Sequence, residues 1–272
     1  MYASPTLRAH SAHPCRRLAV AITLLLATLA ILLAASCGGR QSTSSAGKST
    51  EITVSGAASL TDAFTKLGSD YTAVHPGAKV TFNFAASQDL IAQLEQGAPV
   101  DVLATADALT MDQVADLVGT PQVVARNKLA IAVAPGNPTN IKSLQDLADP
   151  SLKVVVAAPQ VPVGKYSQQI LDKAGVTVKP VSLEDNVKGV VTKVSLGEAD
   201  AGIVYVTDIS AAAGKIEGVD IPDGSNVIAT YPIAVVKASG KAEEAQAFVD
   251  LVMSSQGQQV LRSFGFLPPG TQ

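Results

Sequence analysis

Four short stretches combine small or hydroxyl-bearing residues with the start of a helix-like apolar period. They are Gly56-Ala-Ala-Ser59-Leu-Thr-Asp62, Phe84-Ala-Ala-Ser87-Gln-Asp-Leu90, Gln160-Val-Pro-Val163-Gly-Lys-Tyr166 and Glu184-Asp-Asn-Val187-Lys-Gly-Val190. Each lies where a strand pattern gives way to a helix pattern. The first N–H groups of a helix have no intrahelical acceptor, and the macrodipole makes that end positive. Such an end suits an anion. Ser59 and Ser87 could add hydroxyl donors, and the alanines before them would let a ligand approach the backbone. The plainer alternative is that both serines are N-caps, whose oxygen accepts from an N–H two or three residues on. Ser59 with Asp62 even has the spacing of a capping box, with Asp where Glu is usual. Gly164 reads equally as a flexible helix start, and Asn186 as another cap.

Other chemistries are poorly supplied. Past residue 36 the chain keeps one cysteine, Cys37, and one histidine, His75. An intramolecular disulfide framework and a Cys/His metal cluster are therefore excluded, and a catalytic triad would have to use His75. That residue sits in His75-Pro-Gly, which reads as a surface turn, and no Gly-x-Ser-x-Gly elbow is present. A serine hydrolase is the rival from another class, and a lipid-anchored adhesin is a third reading. Removing residues 1–36 takes away three basic side chains and no acidic ones, which leaves a net charge of about −6. With no basic stripe, a nucleic-acid partner is not expected.

The elements that must position these stretches alternate. Ile52-Thr-Val-Ser, Lys79 to Phe84, Asp101 to Ala104, Leu129 to Val133, Lys153 to Ala157 and Ala201 to Tyr205 read as buried strands. Between them, stripes such as Leu60, Ala63, Phe64 and Leu67, or Leu90, Ile91 and Leu94, recur at helical spacing. One helix carrying Phe248, Leu251 and Val252, then Val260 and Leu261, is expected to close the chain. The pattern predicts an α/β class with parallel sheets covered by helices, whose strand ends can converge on one cleft. Gln122 to Pro135 is long enough to cross between two lobes, and Ile228 to Val236 repeats its extended character. Two hinge crossings predict a discontinuous lobe I at 51–133 and 229–272 and an inserted lobe II at 134–228. The alternative is one continuous sheet.

The first 36 residues hold Arg8, Arg16 and Arg17 but no acidic residue, followed by an apolar run that ends Leu33-Ala-Ala-Ser36-Cys37. That layout predicts a secretory signal at 1–36. The small-small-Cys ending resembles the lipobox of bacterial lipoproteins, which implies lipidation of Cys37 and an extracytoplasmic protein anchored to the cell membrane. An uncleaved membrane anchor is the alternative, since Leu18 to Ser36 nearly spans a bilayer. Residues 37–50, rich in Ser, Gly and Thr, are expected to form a flexible tether.

Several motifs occur in order at fitting separations: Ala57-Ala-Ser-Leu-Thr-Asp62, His75-Pro-Gly, Phe84-Ala-Ala-Ser87, Gln96-Gly-Ala-Pro-Val-Asp101-Val-Leu-Ala-Thr-Ala-Asp107, Gly202-Ile-Val-Tyr205-Val-Thr-Asp208 and Phe264-Gly-Phe266. Together they resemble the molybdate-binding proteins of ABC transporters, and the likeness covers nearly all of Glu51 to Pro268. It implies a two-lobe periplasmic-binding-protein fold of type II, each lobe a sheet flanked by helices. It also implies binding of molybdate or tungstate by the serines Ser59 and Ser87, the backbone amides of Val163 and Val187, and the phenol of Tyr205. Sulfate, another proton-free dianion, is the alternative ligand. A transporter permease is the expected partner, and a monomer with no enzymatic activity, no cofactor and no metal-cation ligands is expected. Tyr205 otherwise reads as a strand-end tyrosine packing its ring. Ferric iron, held in similar architectures by several tyrosinates, is disfavoured because Tyr71, Tyr166 and Tyr231 fall in other elements.

Overall fold

The computed structural model describes residues 50–270, within a unit that spans Gly47–Gln272. The expected signal, the lipidation residue Cys37 and nearly all of the tether lie outside the described residues.

Each β-branched run forms a strand, and each stripe at helical spacing forms a helix that buries its apolar face. Strand β1 (Thr50–Ala57) ends in a 3-10 turn, Ala58–Leu60, that leads into α1 (Thr61–Val74). Helix α1 buries Ala63, Phe64, Leu67 and Tyr71. Next come β2 (Ala78–Ala85), α2 (Ser87–Glu95), β3 (Val102–Ala104) and a short α3 (Ala108–Asp112). Strand β4 (Gln122–Val133) has 12 residues, about 40 Å at the usual rise. Then follow β5 (Val154–Ala157), α4 (Pro162–Ala174), β6 (Ser182–Glu184), α5 (Val187–Ser195), β7 (Ala201–Tyr205), α6 (Val206–Ala211) and β8 (Glu217–Asp220). Strand β9 (Ile228–Val235), α7 (Ala242–Met253) and α8 (Ser255–Ser263) complete the series. Among the described residues, no helix is long and apolar enough to cross a membrane.

The strands lie in the order β2-β1-β3-β9-β4-β7-β5-β6, with β8 also on β4. The long β4 has two sets of neighbours. Its first part, Gln122 to Lys128, pairs with β9, and from Leu129 onward it pairs with β7 and β8. The hydrogen-bonded path is therefore continuous, with one group of strands on each half of β4.

Two expectations need correction. The sheet is mixed: β1 and β5 pair in parallel with their neighbours, but β3–β9, β4–β9, β4–β7 and β4–β8 are antiparallel. Strand-helix alternation reports burial, and burial does not encode the direction of the two connecting strands. The closing helix is also two helices. Ser254 is extended (φ −62, ψ 163), and its side chain accepts from the Gly257 N–H at 3.1 Å, so α7 stops and α8 starts anew.

The largest cluster of buried apolar residues runs along the sheet. Phe248 of α7 meets the edges of Phe64 and Tyr71 with ring centroids 6.0 and 5.8 Å apart, and all three side chains are buried. Each such ring contributes about 1.5–3 kcal/mol through burial, which fixes α1, and hence the Ala58–Leu60 turn, against the sheet.

Candidate functional site

The five expected site residues come from separate elements and line one small pocket. Ser59 is in the middle of the 3-10 turn after β1, and Ser87 is the first residue of α2. Val163 follows Pro162, which occupies the first position of α4, and Val187 opens α5. Tyr205 ends β7. Ala57, Ala58, Ala86 and Ala106 complete much of the wall, so the backbone is screened only by methyl groups.

Neither serine is an N-cap. The Ser59 hydroxyl lies 3.0 Å from the Tyr231 hydroxyl, and the Ser87 hydroxyl accepts from the Ala106 N–H at 3.1 Å. Leu60 and Ala86 stand at the cap positions of α1 and α2 without a side-chain hydrogen bond. The Ser59–Asp62 capping box is likewise absent, because Asp62 Oδ2 instead accepts from Lys188 Nζ at 3.1 Å.

Asn186 is the cap that its type suggests. Its Oδ1 accepts from the Gly189 N–H at 3.1 Å, two residues beyond Val187. The Val187 amide is left uncapped, as is that of Val163, and no acceptor among the described residues engages either. Gly164 is a close-approach residue rather than a flexible start. A Cβ there would stand 2.1 Å from the Ala158 carbonyl oxygen, so only glycine lets α4 begin so near the end of β5.

Tyr205 is buried, and among the described residues its hydroxyl has no hydrogen-bond partner. Burial above all, with the neighbouring Tyr231, raises its pKa well above the ordinary tyrosine value. It remains a protonated donor at any physiological pH. Tyr231 does fall in another element, β9, which β4 separates from β7, yet its ring meets that of Tyr205 edge-on at 5.9 Å. Sequence reasoning missed Tyr231, together with Asn127 behind it, because nothing in local spacing links residues so far apart in the chain.

Charged groups surround the cavity without lining it. Lys188 Nζ lies 3.1 Å from Asp62 and 3.4 Å from Asp208, and Lys165 Nζ lies 3.7 Å from Asp107. Asp107 caps α3 by accepting from the Thr110 N–H. Burial pushes Asp208 up to about 6, against the opposing pull of Lys188. At Lys188, burial depresses the pKa, but Asp208 and Asp62 outweigh it and the net shift is upward.

Hydrolytic chemistry lacks its base. His75 is exposed at the end of α1, stacked on Tyr71, with Nδ1 2.9 Å from the Tyr71 carbonyl. The serines meet a phenol and a backbone amide instead. Among the described residues, no group of three or more His, Cys, Asp or Glu could hold a metal ion.

A small cleft lined by helix starts and hydroxyls is the kind of site that holds a solute, and residues 52–267 match the bacterial extracellular solute-binding proteins. The chain belongs to that family. It is 40% identical over 254 residues to the molybdate-binding protein ModA of Mycobacterium tuberculosis (strain ATCC 25618 / H37Rv), covering 91% of this chain and 97% of the relative. Two solved structures share its fold. The sulfate-binding protein SubI from Mycobacterium tuberculosis H37Rv superposes with a TM-score of 0.73 at 22% identity, covering 80% of this chain and 87% of that one. The periplasmic molybdate-binding protein of Azotobacter vinelandii gives 0.70 at 20% identity, covering 80% and 100%. These solute-binding relatives are transport proteins and not enzymes, which agrees with serines that face no base.

Proposed function

We propose that this solute-binding protein captures molybdate, or the similarly sized tungstate, and delivers it to the permease of an ABC importer. One observation carries the reading: Ser59, Ser87, Val163, Val187 and Tyr205 line one pocket, and each has hydrogen-bond donors to offer. Three hydroxyls, from Ser59, Ser87 and Tyr205, and the amides of Ser59, Ser87, Val163 and Val187 make about seven donors for an ion with four acceptor oxygens. Hydrogen bonds to a charged partner contribute about 1.5–3 kcal/mol each. After association costs of several kcal/mol, binding of about −8 kcal/mol, or micromolar and tighter, is reasonable. Lysines stay outside the cavity, so fixed dipoles hold the dianion and can release it. Identity of 40% to a molybdate-binding protein favours molybdate over sulfate, and the longer molybdenum–oxygen bond makes cavity size the discriminator.

In this reading, residues 51–133 with 229–272 and residues 134–228 form two lobes that close on the ion, with β4 and the start of β9 as hinges. Cys37 carries the lipid that holds the protein outside the cytoplasm, and residues 37–50 tether it. Isothermal titration against molybdate and sulfate side by side tests the ligand. Micromolar or tighter molybdate binding, with sulfate much weaker, is expected. Sulfate binding as tight as molybdate would make this a general oxyanion protein, and no heat with either would end the reading.

A further inference from the structure

A serine hydroxyl can donate or accept, so two serines do not by themselves make a donor site. If the proton turns into the protein, a lone pair faces the anion and repels it. The direction at Ser87 is settled locally, because the Ala106 N–H can only donate and the Ser87 oxygen must accept from it at 3.1 Å. The Ser87 proton is then left for the cavity.

At Ser59 the neighbour is the Tyr231 hydroxyl, 3.0 Å away, and either oxygen could be the donor. The choice is made by Asn127, on the neighbouring strand β4. Its Oδ1 accepts from the Lys128 N–H at 2.9 Å, which fixes which way the amide faces. The Nδ2 group therefore points at Thr207 Oγ1, 2.9 Å away, and at the Tyr231 hydroxyl, 3.5 Å away. An amide NH₂ has no lone pair to offer. Toward it Tyr231 can only accept, which leaves the single Tyr231 proton free to go to Ser59 Oγ.

We propose that Asn127 and Tyr231 form a one-way hydrogen-bond relay that holds Ser59 as a donor toward the bound anion, and so make the cavity reject anions that carry a proton. Neither residue lines the cavity, and both are fully buried, so they are positioning residues. The Tyr231 ring is held edge-on between Tyr205 and Phe266, with centroids 5.9 and 5.4 Å away. With Ser59 and Ser87 both locked as donors, a singly protonated tetrahedral anion such as hydrogen phosphate finds no acceptor for its O–H at either serine.

The relay rests on the oxyanion reading given above, and one set of titrations separates the two. Wild type, Tyr231→Phe, Ser59→Ala and the double variant are titrated with molybdate, and hydrogen phosphate is run as a competitor at neutral pH. Tyr231→Phe keeps the ring and removes only the hydroxyl. It should raise the molybdate Kd about 5- to 30-fold and narrow the preference over phosphate. In the Ser59→Ala background the same change should do almost nothing, a coupling that a purely structural role for the ring would not produce. Asn127→Asp gives a second route, since a carboxylate accepts from Tyr231, reverses the relay and turns the Ser59 lone pair inward. Wild-type binding with an unaltered Tyr231→Phe, or additive effects in the double variant, overturns the relay alone. A wild-type chain with no oxyanion affinity overturns the functional reading and the relay with it.

Discussion

The two kinds of hydroxyl at the cavity differ in what they do in the free protein. The Ser87 oxygen satisfies a buried backbone amide, whereas the Tyr205 hydroxyl has no hydrogen-bond partner among the described residues. Removing a group that serves a buried partner leaves that partner unsatisfied, at about 1–3 kcal/mol, while removing an unpartnered polar group relieves a desolvation cost. Ser87→Ala should therefore lose about 1–3 kcal/mol of both ligand-free stability and anion affinity. Tyr205→Phe should lose a similar affinity yet keep or gain stability in urea unfolding without ligand. Equal destabilisation by the two changes would contradict this account. The same contrast explains why the serines were readable as candidates while the direction of their protons was not. Their position at strand-to-helix turns is a local pattern, but the groups that orient them are distant. Tyr231 lies 172 positions from Ser59, and Ala106 lies 19 from Ser87.

At the scale of elements, the cavity depends on where α4 and α5 begin, because Val163 and Val187 at their starts line it. Pro162 at the first position of α4 and the Asn186 cap of α5 set those starts. Gly164 sets the approach of α4 to the sheet. Helix propensity alone would make Gly164→Ala stabilising by about 0.5–1 kcal/mol. Sterics oppose it, since the new Cβ would meet the Ala158 and Ala157 carbonyl oxygens at 2.1 and 2.6 Å. We expect overpacking to win, with a stability loss of about 1–3 kcal/mol and weakened anion binding as the Val163 amide moves. Gly224→Ala, with nothing within 4 Å of its added Cβ, is the control and should be near neutral. A Gly164→Ala variant as stable and as tight as wild type would show that α4 can shift freely. Such packing is invisible in a sequence, where Gly164 looks like any flexible helix start. The long apolar strands were legible because burial on both faces leaves an unbroken β-branched run. Ser182-Leu-Glu184 and Glu217–Asp220 were not, since both are short and carry charge. Strand direction also escaped, because β4 and β9 look alike whichever way they run.

Across the whole molecule, lysines from the later part of the chain reach acidic groups of the earlier part on either side of the cavity, Lys188 to Asp62 and Lys165 to Asp107. Asp62 is nearly half exposed, so that pair contributes little by itself. Asp208 is different, being buried beside Lys188 with its carboxyl accepting from the Tyr205 N–H. Its folded pKa is about 6 against 3.8 for the ordinary side chain. Between those values the folded chain holds a proton that the unfolded chain has lost, so this group's contribution to stability is complete below pH 4 and declines as pH rises through about 6. The loss is on the order of 2–3 kcal/mol. Glu51, Asp146 and Asp149, whose pKa values are lowered, act in the opposite sense, so the wild-type curve alone cannot isolate the effect. The difference between wild type and Asp208→Asn can. Relative to that variant, wild type should lose stability from pH 4 to about pH 7 and then level off, as read from urea unfolding at each pH. Lys188→Met removes the cation that holds the Asp208 pKa down, so in that background the decline should continue to higher pH. A wild-type minus Asp208→Asn difference that is flat, or that rises with pH, would mean that Asp208 is ionised as easily in the folded chain as in water.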